Sequence, residues 1–157
     1  MPRDGKRLRD NMETLVLCLG SNLGDREQNL QTALQKLEEV FGKPLKLSRI
    51  METEALGFNG GDFLNCVAMY SCGLEPLEVL GECKKIERLM GRKDCVEFAP
   101  DGRRIYHDRI IDIDILTYGS LSVSTDELTI PHPQIKTRPY VALLLEDLKT
   151  EKSHRPL

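Results

Sequence analysis

Apolar and polar residues alternate with different periods along the first half of the chain. An apolar run at 14–20 that ends at a glycine is typical of a buried strand. Apolar residues recur every three or four positions over 26–40, which predicts a helix that begins after the capping residue Asp25. Extended patterns at 45–53 and 63–70 predict two further strands.

The second half of the chain adds a helix, a loop, strands and a last helix. Helical spacing over 75–91 predicts a helix, the charged and aperiodic stretch at 90–106 predicts a loop, and 109–118 has the clearest strand pattern. A short strand is predicted at 121–124 and a last helix at 138–148. Four residues of the second helix are expected to face inward: Leu77, Leu80, Ile86 and Leu89. The order of elements predicts a ferredoxin-like α+β fold, an antiparallel sheet with helices packed on it.

Length and composition favour a single globular domain over 1–157, with frayed ends at 1–13 and 149–157. An aromatic content of 5% and a net charge of −3 argue against a nucleic-acid surface, which needs stacking rings and a basic field. No apolar run is long enough to cross a bilayer, and no signal-peptide segment follows the basic start. We therefore expect a cytoplasmic protein that binds neither nucleic acid nor membrane.

The cysteines are odd in number and show no paired metal-ligand spacing. They are Cys18, Cys66, Cys72, Cys83 and Cys95. Without an export segment, they are interpreted as reduced thiols, some of them buried in strands. A zinc site and a cysteine nucleophile remain minor alternatives.

Two aspartates in the clearest strand pattern form the strongest candidate for chemistry. Residues two apart in a strand share a face, so Asp112 and Asp114 project together, about 6.6 Å apart along the strand. Two carboxylates on one face can bind hard cations, whose remaining ligands are waters and substrate phosphates. Arg109 adds a donor suited to phosphate oxygens. The alternative is an ordinary strand with one solvated face, although two neighbouring like charges repel each other.

Three other stretches could meet a phosphate, and each has a purely structural alternative. The turn at 20–24 leads into a helix and could bind an anion through backbone N–H groups, or it could be only a turn. A stretch at 131–140 gathers His132 and Arg138 near a helix start, where a lone histidine is usually structural. A basic loop could close over phosphates or be merely solvated; its residues are Arg88, Arg92, Lys93, Arg103 and Arg104.

Taken together, these stretches resemble the 6-hydroxymethyl-7,8-dihydropterin pyrophosphokinase family, in order from about Leu15 to Leu148. The family's G-S-N-L turn is matched at 20–23 and its P-H turn with a following arginine at 131–138. Its R-x-x-D-[LIV]-D-[LIVM]-[LIVM] signature is matched in full by Arg109, Asp112, Ile113, Asp114, Ile115 and Leu116.

The resemblance implies a ferredoxin-like fold and transfer of pyrophosphate from ATP to the hydroxymethyl dihydropterin, giving AMP, as a step of folate biosynthesis. It implies that Asp112 and Asp114 bind two Mg²⁺ ions and that Arg92 and Arg109 are catalytic. The implied ATP-binding residues are Glu87, Arg92, Arg109, Ile115, Thr129, His132 and Arg138. The implied pterin-binding residues are Thr53, Ala55, Leu56, Phe63, Asn65 and Tyr140. No obligate protein partner is expected.

Two alternatives stay open on the sequence. A non-catalytic ferredoxin-like module could bind a small metabolite or a partner. An enzyme that transfers only the γ-phosphoryl group would release ADP instead of AMP.

Overall fold

The computed structural model describes residues 8–54, 61–91, 97–102, 104–105 and 109–149. Within these ranges the strands are β1 (Leu8–Ser21), β2 (Lys46–Leu47), β3 (Met51–Thr53), β4 (Phe63–Leu74), β5 (Glu97–Phe98), β6 (Arg104–Ile105), β7 (Asp112–Tyr118), β8 (Val123–Ser124) and β9 (Thr129–Ile130). The helices are α1 (Arg26–Phe41), α2 (Pro76–Leu89), α3 (Gln134–Thr137) and α4 (Pro139–Asp147). None of the helices in these ranges is long and apolar enough to span a membrane.

The main sheet is antiparallel throughout, with β4 and β1 in its centre. Its order is β2–β4–β1–β7, and β3 also pairs with β4. This arrangement, with the helices α1 and α2 in their expected places, confirms the ferredoxin-like α+β class. The register sets Gly20 of β1 between Asn65 of β4 and Asp112 of β7, and it pairs Cys18 with Asp114.

The two faces of the sheet carry different helices. Because side chains alternate along a strand, β1 buries Leu15, Leu17 and Leu19 in the core formed with α1 and α2. The same strand turns Val16 and Cys18 into a smaller core formed with α4. The side of the sheet that carries α4 is therefore less covered, and it is the side on which the residues beside Gly20 lie.

Strand β1 begins earlier than the predicted start at 14. Leu8 already pairs with Leu74 of β4, after a register shift. The expected frayed end at 1–13 is therefore wrong from Leu8 onward, because pairing of the backbone with the long β4 needs no apolar pattern. Residues 1–7 lie outside the described part of the chain.

The predicted strand at 45–53 is interrupted into β2 and β3. At the break, the Ser48 hydroxyl accepts a hydrogen bond from Val67 N at 2.8 Å. The next backbone N–H, that of Arg49, donates to the buried Asp147 carboxylate of α4 at 2.8 Å. Side chains thus replace part of the strand ladder, and they tie α4 to the edge of the sheet.

Helix α1 begins after Asp25, whose carboxylate accepts from Gln28 N as the capping prediction required. Helix α2 buries Ile86 and packs Leu80 against the core as predicted, but the rest of the predicted stripe differs. Leu77 and Leu89 are 56% and 65% exposed, so their inward placement is wrong. Val79 and Cys83 occupy the buried stripe instead.

The predicted loop at 90–106 contains a short hairpin, because β5 pairs with β6. The strand predicted at 109–118 begins at Asp112, and the one predicted at 121–124 is β8, which pairs with β9.

Candidate active site

Asp112 and Asp114 lie half-buried on one side of β7, and the isoleucines between and beside them are buried on the other. Cys18 lies beside them on β1, and burial together with Asp114 and Asp112 raises the pKa of its thiol. The pairing of Asp112 with Gly20 and of Asp114 with Cys18 places both carboxylates on the α4 side of the sheet. The predicted sharing of one face is confirmed.

This pair of carboxylates fits a hard divalent cation. Among the described residues, no group of three or more His, Cys, Asp or Glu side chains could hold a metal ion. The described part of the chain offers two carboxylates here, those of Asp112 and Asp114. Mg²⁺ is commonly bound in this way, through one or two carboxylates, waters and substrate phosphates.

Strand β7 is the last strand at one edge of the main sheet. Backbone groups on its outer side form hydrogen bonds with neighbouring elements. Glu87 of α2 is 4% exposed, and its carboxylate accepts a hydrogen bond from Ile113 N at 2.7 Å. His132 N donates to Leu116 O at 2.9 Å. Since Ile113 stands between the two aspartates, Glu87 holds the backbone that carries them.

His132 is held in a neutral form with a defined proton. Its Nδ1 accepts a hydrogen bond from Gln134 N at 3.1 Å, which leaves the ring proton on Nε2. Partial burial lowers the pKa of His132, Asp112 opposes that shift, and Arg138 lowers the pKa further. The ring is therefore a hydrogen-bond donor at neutral pH, and it lies near both the acidic pair and Arg138.

A cavity of about 370 Å³ lies against β7. It brings together six of the residues predicted for the metal and ATP: Glu87, Asp112, Asp114, Ile115, Thr129 and His132. Its lining also contains Lys84 and Asp126, which the sequence reasoning missed because exposed charges on helices and turns are usually only solvated. The two predicted arginines Arg109 and Arg138 do not line this cavity.

Three of the residues predicted for the pterin, Thr53, Phe63 and Asn65, lie together beside Gly20. Asn65 is 4% exposed and donates from Nδ2 to Thr53 Oγ1 at 2.7 Å. A Cβ at Gly20 would lie 2.9 Å from Asn65 Oδ1 and 3.3 Å from Phe63 Cδ1, so glycine leaves the room that these side chains use. Asp112 is the neighbour of Gly20 on the opposite strand. The group around Asn65 and the acidic pair therefore lie on neighbouring strands, on either side of Gly20.

Tyr140 is the remaining predicted pterin residue within the described ranges. It stands in the first turn of α4, and Arg138 Nη1 donates to its hydroxyl at 3.4 Å. Partial burial raises the pKa of Tyr140, Cys18 and Asp114 raise it further, and the hydrogen bond from Arg138 lowers it. Tyr140 thus stands beside Arg138 at the start of α4. Arg92, Ala55 and Leu56 lie outside the described residues.

The cysteines do not form a reactive centre in the described part of the chain. Cys18, Cys66, Cys72 and Cys83 are free and buried. Burial raises the pKa of Cys66 to about 12 and also raises the pKa of Cys83. Such thiols are protonated at neutral pH and are poor nucleophiles and poor metal ligands.

The turn at 20–24 serves the fold through a side chain that the sequence reasoning passed over. Asn22 N donates to Arg109 O at 3.0 Å, so this N–H is already engaged within the protein. The Asn22 carboxamide binds both Arg109 N and Gly61 O. An asparagine directly after a strand, within a G-S-N turn, was the only available indication.

An antiparallel α+β sheet with two carboxylates at the edge of a cavity fits the class of metal-dependent phosphoryl-transfer enzymes. The model of the 7,8-dihydro-6-hydroxymethylpterin-pyrophosphokinase (HPPK) family matches residues 16–150. The chain belongs to this family. It is therefore an enzyme, a pyrophosphokinase of folate biosynthesis, and the use of ATP by the family implies a divalent metal.

The chain matches two relatives with this name over most of their length. The 2-amino-4-hydroxy-6-hydroxymethyldihydropteridine pyrophosphokinase of Porphyromonas gingivalis is 41% identical over 139 residues, 87% of this chain and 91% of that protein. That of Aquifex aeolicus is 38% identical over 144 residues, 91% of this chain and 84% of that protein. A Plasmodium falciparum HPPK-DHPS structure has a TM-score of 0.67 at 18% identity and covers 92% of this chain. This chain spans 39% of that structure, and the likeness shows the fold alone.

Proposed function

We propose that the chain transfers the pyrophosphoryl group of ATP to the hydroxymethyl oxygen of 6-hydroxymethyl-7,8-dihydropterin, with two Mg²⁺ ions held by Asp112 and Asp114. The observation that carries the proposal is the register around Gly20, which sets Asn65 on one side and Asp112 on the other. A pterin that hydrogen-bonds Asn65 would have its hydroxymethyl group within reach of phosphates bound at the acidic pair.

The cavity beside β7 is the proposed site of the nucleotide. Ile115 and Thr129 line it and would contact the adenosine, while the Nε2–H of His132 would donate to a phosphate oxygen. Glu87 lines the same cavity and holds Ile113 N, so it would act mainly by fixing the strand. Arg138 near His132 would add positive charge at the phosphates.

The acidic pair would take the metal. Asp112 and Asp114 would hold Mg²⁺ at β7, and the ion would supply positive charge for the phosphates. Arg92 and Arg109 would bring positive charge to the phosphates, where negative charge accumulates in the transition state.

The pterin would bind beside Gly20, near Asn65 and Phe63. Its ring would exchange hydrogen bonds with the Asn65 carboxamide, which Thr53 already orients. Phe63 and Tyr140 would stack on the two ring faces, and Ala55 and Leu56 would offer backbone groups. One buried amide and two flat side chains would suit a planar heterocycle.

In the proposed reaction the hydroxymethyl oxygen attacks the β-phosphorus in line. The bond from the β-phosphorus to the oxygen that bridges it to the α-phosphorus breaks, and AMP leaves with the electron pair. The proton of the attacking hydroxyl passes to solvent water. The protein's contribution is to hold the two substrates in line and to surround the phosphates with positive charge.

The test is to incubate the protein with MgATP and the hydroxymethyl dihydropterin and to separate the nucleotides formed. We expect AMP and the pterin diphosphate in equal amounts. Release of ADP would favour γ-phosphoryl transfer, and no turnover would favour a non-catalytic module. Asp114→Asn should abolish turnover while Glu39→Gln, an exposed loss of charge on α1, should not. Full activity of Asp114→Asn at saturating Mg²⁺ would contradict the metal assignment.

We propose ATP and the pterin as the partners, without nucleic acid, membrane or an obligate protein partner, and the cytoplasm as the location. The free, buried state of the four described cysteines supports a reducing compartment. Fractionation of cells followed by immunodetection tests the location.

A further inference from the structure

The turn between β1 and α1 joins two segments that are far apart in the sequence. Asn22 in this turn is 5% exposed. Its Oδ1 accepts from Arg109 N at 2.6 Å, and its backbone N donates to Arg109 O at 3.0 Å. Its Nδ2 donates to Gly61 O at 3.0 Å. One side chain therefore holds the chain ahead of β7 and the chain ahead of β4.

Each of these two segments leads directly into one half of the proposed site. Arg109 precedes the strand that carries Asp112. Gly61 precedes the strand that begins at Phe63 and carries Asn65. A shift at Arg109 would move the phosphate side, and a shift at Gly61 would move the pterin side.

The approach of Gly61 to the turn is close. A Cβ at Gly61 would lie 3.1 Å from Asn22 O, which is tighter than ordinary van der Waals contact. The Gly61 backbone is therefore packed against Asn22 as well as hydrogen-bonded to it. A buried amide whose acceptor and donor are both used has no tolerance for losing either.

We propose that Asn22 is a positioning residue for the reaction: Oδ1 sets the phosphate side through Arg109, and Nδ2 sets the pterin side through Gly61. The inference rests on the proposed function. The carboxamide is suited to this double role because it combines one acceptor and one donor group on a short side chain.

The two side-chain hydrogen bonds of Asn22 can be removed separately or together by substitution. Asn22→Asp keeps the shape and an oxygen that accepts from Arg109 N, but it turns an oxygen instead of an N–H toward Gly61 O. Asn22→Ala removes both hydrogen bonds. Asn29→Asp is the matched control, because Asn29 Nδ2 donates to Ser21 Oγ and Leu23 O in the same turn without contacting either segment. It loses the same kind of donor and adds the same charge.

The experiment measures AMP formation while ATP and the pterin are varied in turn, with thermal melting of each variant. We expect Asn22→Asp to raise the KM for the pterin about tenfold, equivalent to about 1.4 kcal/mol, and to keep the KM for ATP within about threefold of that of Asn29→Asp. Asn22→Ala should raise both KM values about tenfold. A merely structural residue would lower the melting temperature and the active fraction and leave both KM values unchanged.

The inference is overturned if Asn22→Asp and Asn29→Asp share the same KM for the pterin, or if Asn22→Ala melts earlier with both KM values unchanged. If Asn22→Ala does not fold, the test rests on the isosteric Asn22→Asp, in which the KM for the pterin should rise while the KM for ATP does not. Wild-type protein that forms AMP sustains the proposed function in either case, so the two ideas fail separately. If wild type forms none, the proposed function fails, and binding of a non-hydrolysable ATP analogue and of the pterin to the same variants tests Asn22.

Discussion

The hydrogen bond from Ile113 N to Glu87 supports the strand that carries Asp112 and Asp114. The Glu87 carboxylate is 4% exposed and accepts from this N–H at 2.7 Å on the free edge of β7. Glu87→Met fills a similar volume and leaves the buried N–H without this acceptor, which costs about 1.5–3 kcal/mol for a bond to a charged group. In a domain of this size each kcal/mol lowers the melting temperature by about 2–4 °C, so we expect a drop of about 3–12 °C.

Glu87→Gln should have a smaller effect, because its amide oxygen still accepts from Ile113 N. The loss of charge assistance corresponds to about 1 kcal/mol, or about 2–4 °C. Both variants are to be melted by circular dichroism in the absence of ligand, beside Glu39→Gln on the exposed face of α1. The KM for ATP is then measured for each.

The outcome separates two roles for Glu87. If it holds the strand, Glu87→Met melts earlier than Glu87→Gln, and the KM for ATP rises in the same order. If it only contacts ATP, the ligand-free melting temperatures stay within about 1 °C of wild type and both variants raise the KM. A Glu87→Met protein that melts with wild type would refute the reasoning from the hydrogen bond.

Three further changes have defined outcomes. Gly20→Ala places a methyl group 2.9 Å from Asn65 Oδ1, so the KM for the pterin should rise about tenfold with the KM for ATP little changed, as measured by AMP formation. Tyr118→Phe removes a buried hydroxyl that donates to two β4 carbonyls and should cost about 1–3 kcal/mol in urea unfolding. Burial holds the pKa of His132 below its unfolded value of about 6.5. Its contribution to stability is therefore full above that pH and is lost as the pH falls below it. The melting temperature of His132→Gln should fall less between pH 7 and pH 5 than that of wild type.

The parts of the site that could be predicted from sequence are those that repeat within a few residues. The alternation at Asp112 and Asp114 needs only the two-residue period of a strand, and the cap at Asp25 needs only the next turn. The inward face of α2 was harder to predict from sequence, because leucine occurs on both sides of that helix. Leu77 and Leu89 fit a helical spacing but not the stripe that meets the sheet.

The supports of the site could not be predicted, because they are hydrogen bonds across long stretches of chain. Glu87 and Ile113 are 26 residues apart, and Asn22 and Arg109 are 87 apart. A buried glutamate on a helix has no local pattern that distinguishes it from a solvated one. Its burial depends on which strand the helix lies against, and that is fixed only by the assembled sheet.

Mutations of the acidic pair and mutations of the residues that support it should have different effects. Asp112 and Asp114 repel each other on one face, so removing either should cost turnover without costing stability. Glu87 and Asn22 satisfy buried backbone groups, so removing them should cost stability together with affinity. Variants that lose only turnover therefore identify groups that bind the metal or the substrate, and variants that lose stability and affinity together identify the residues that hold those groups in place.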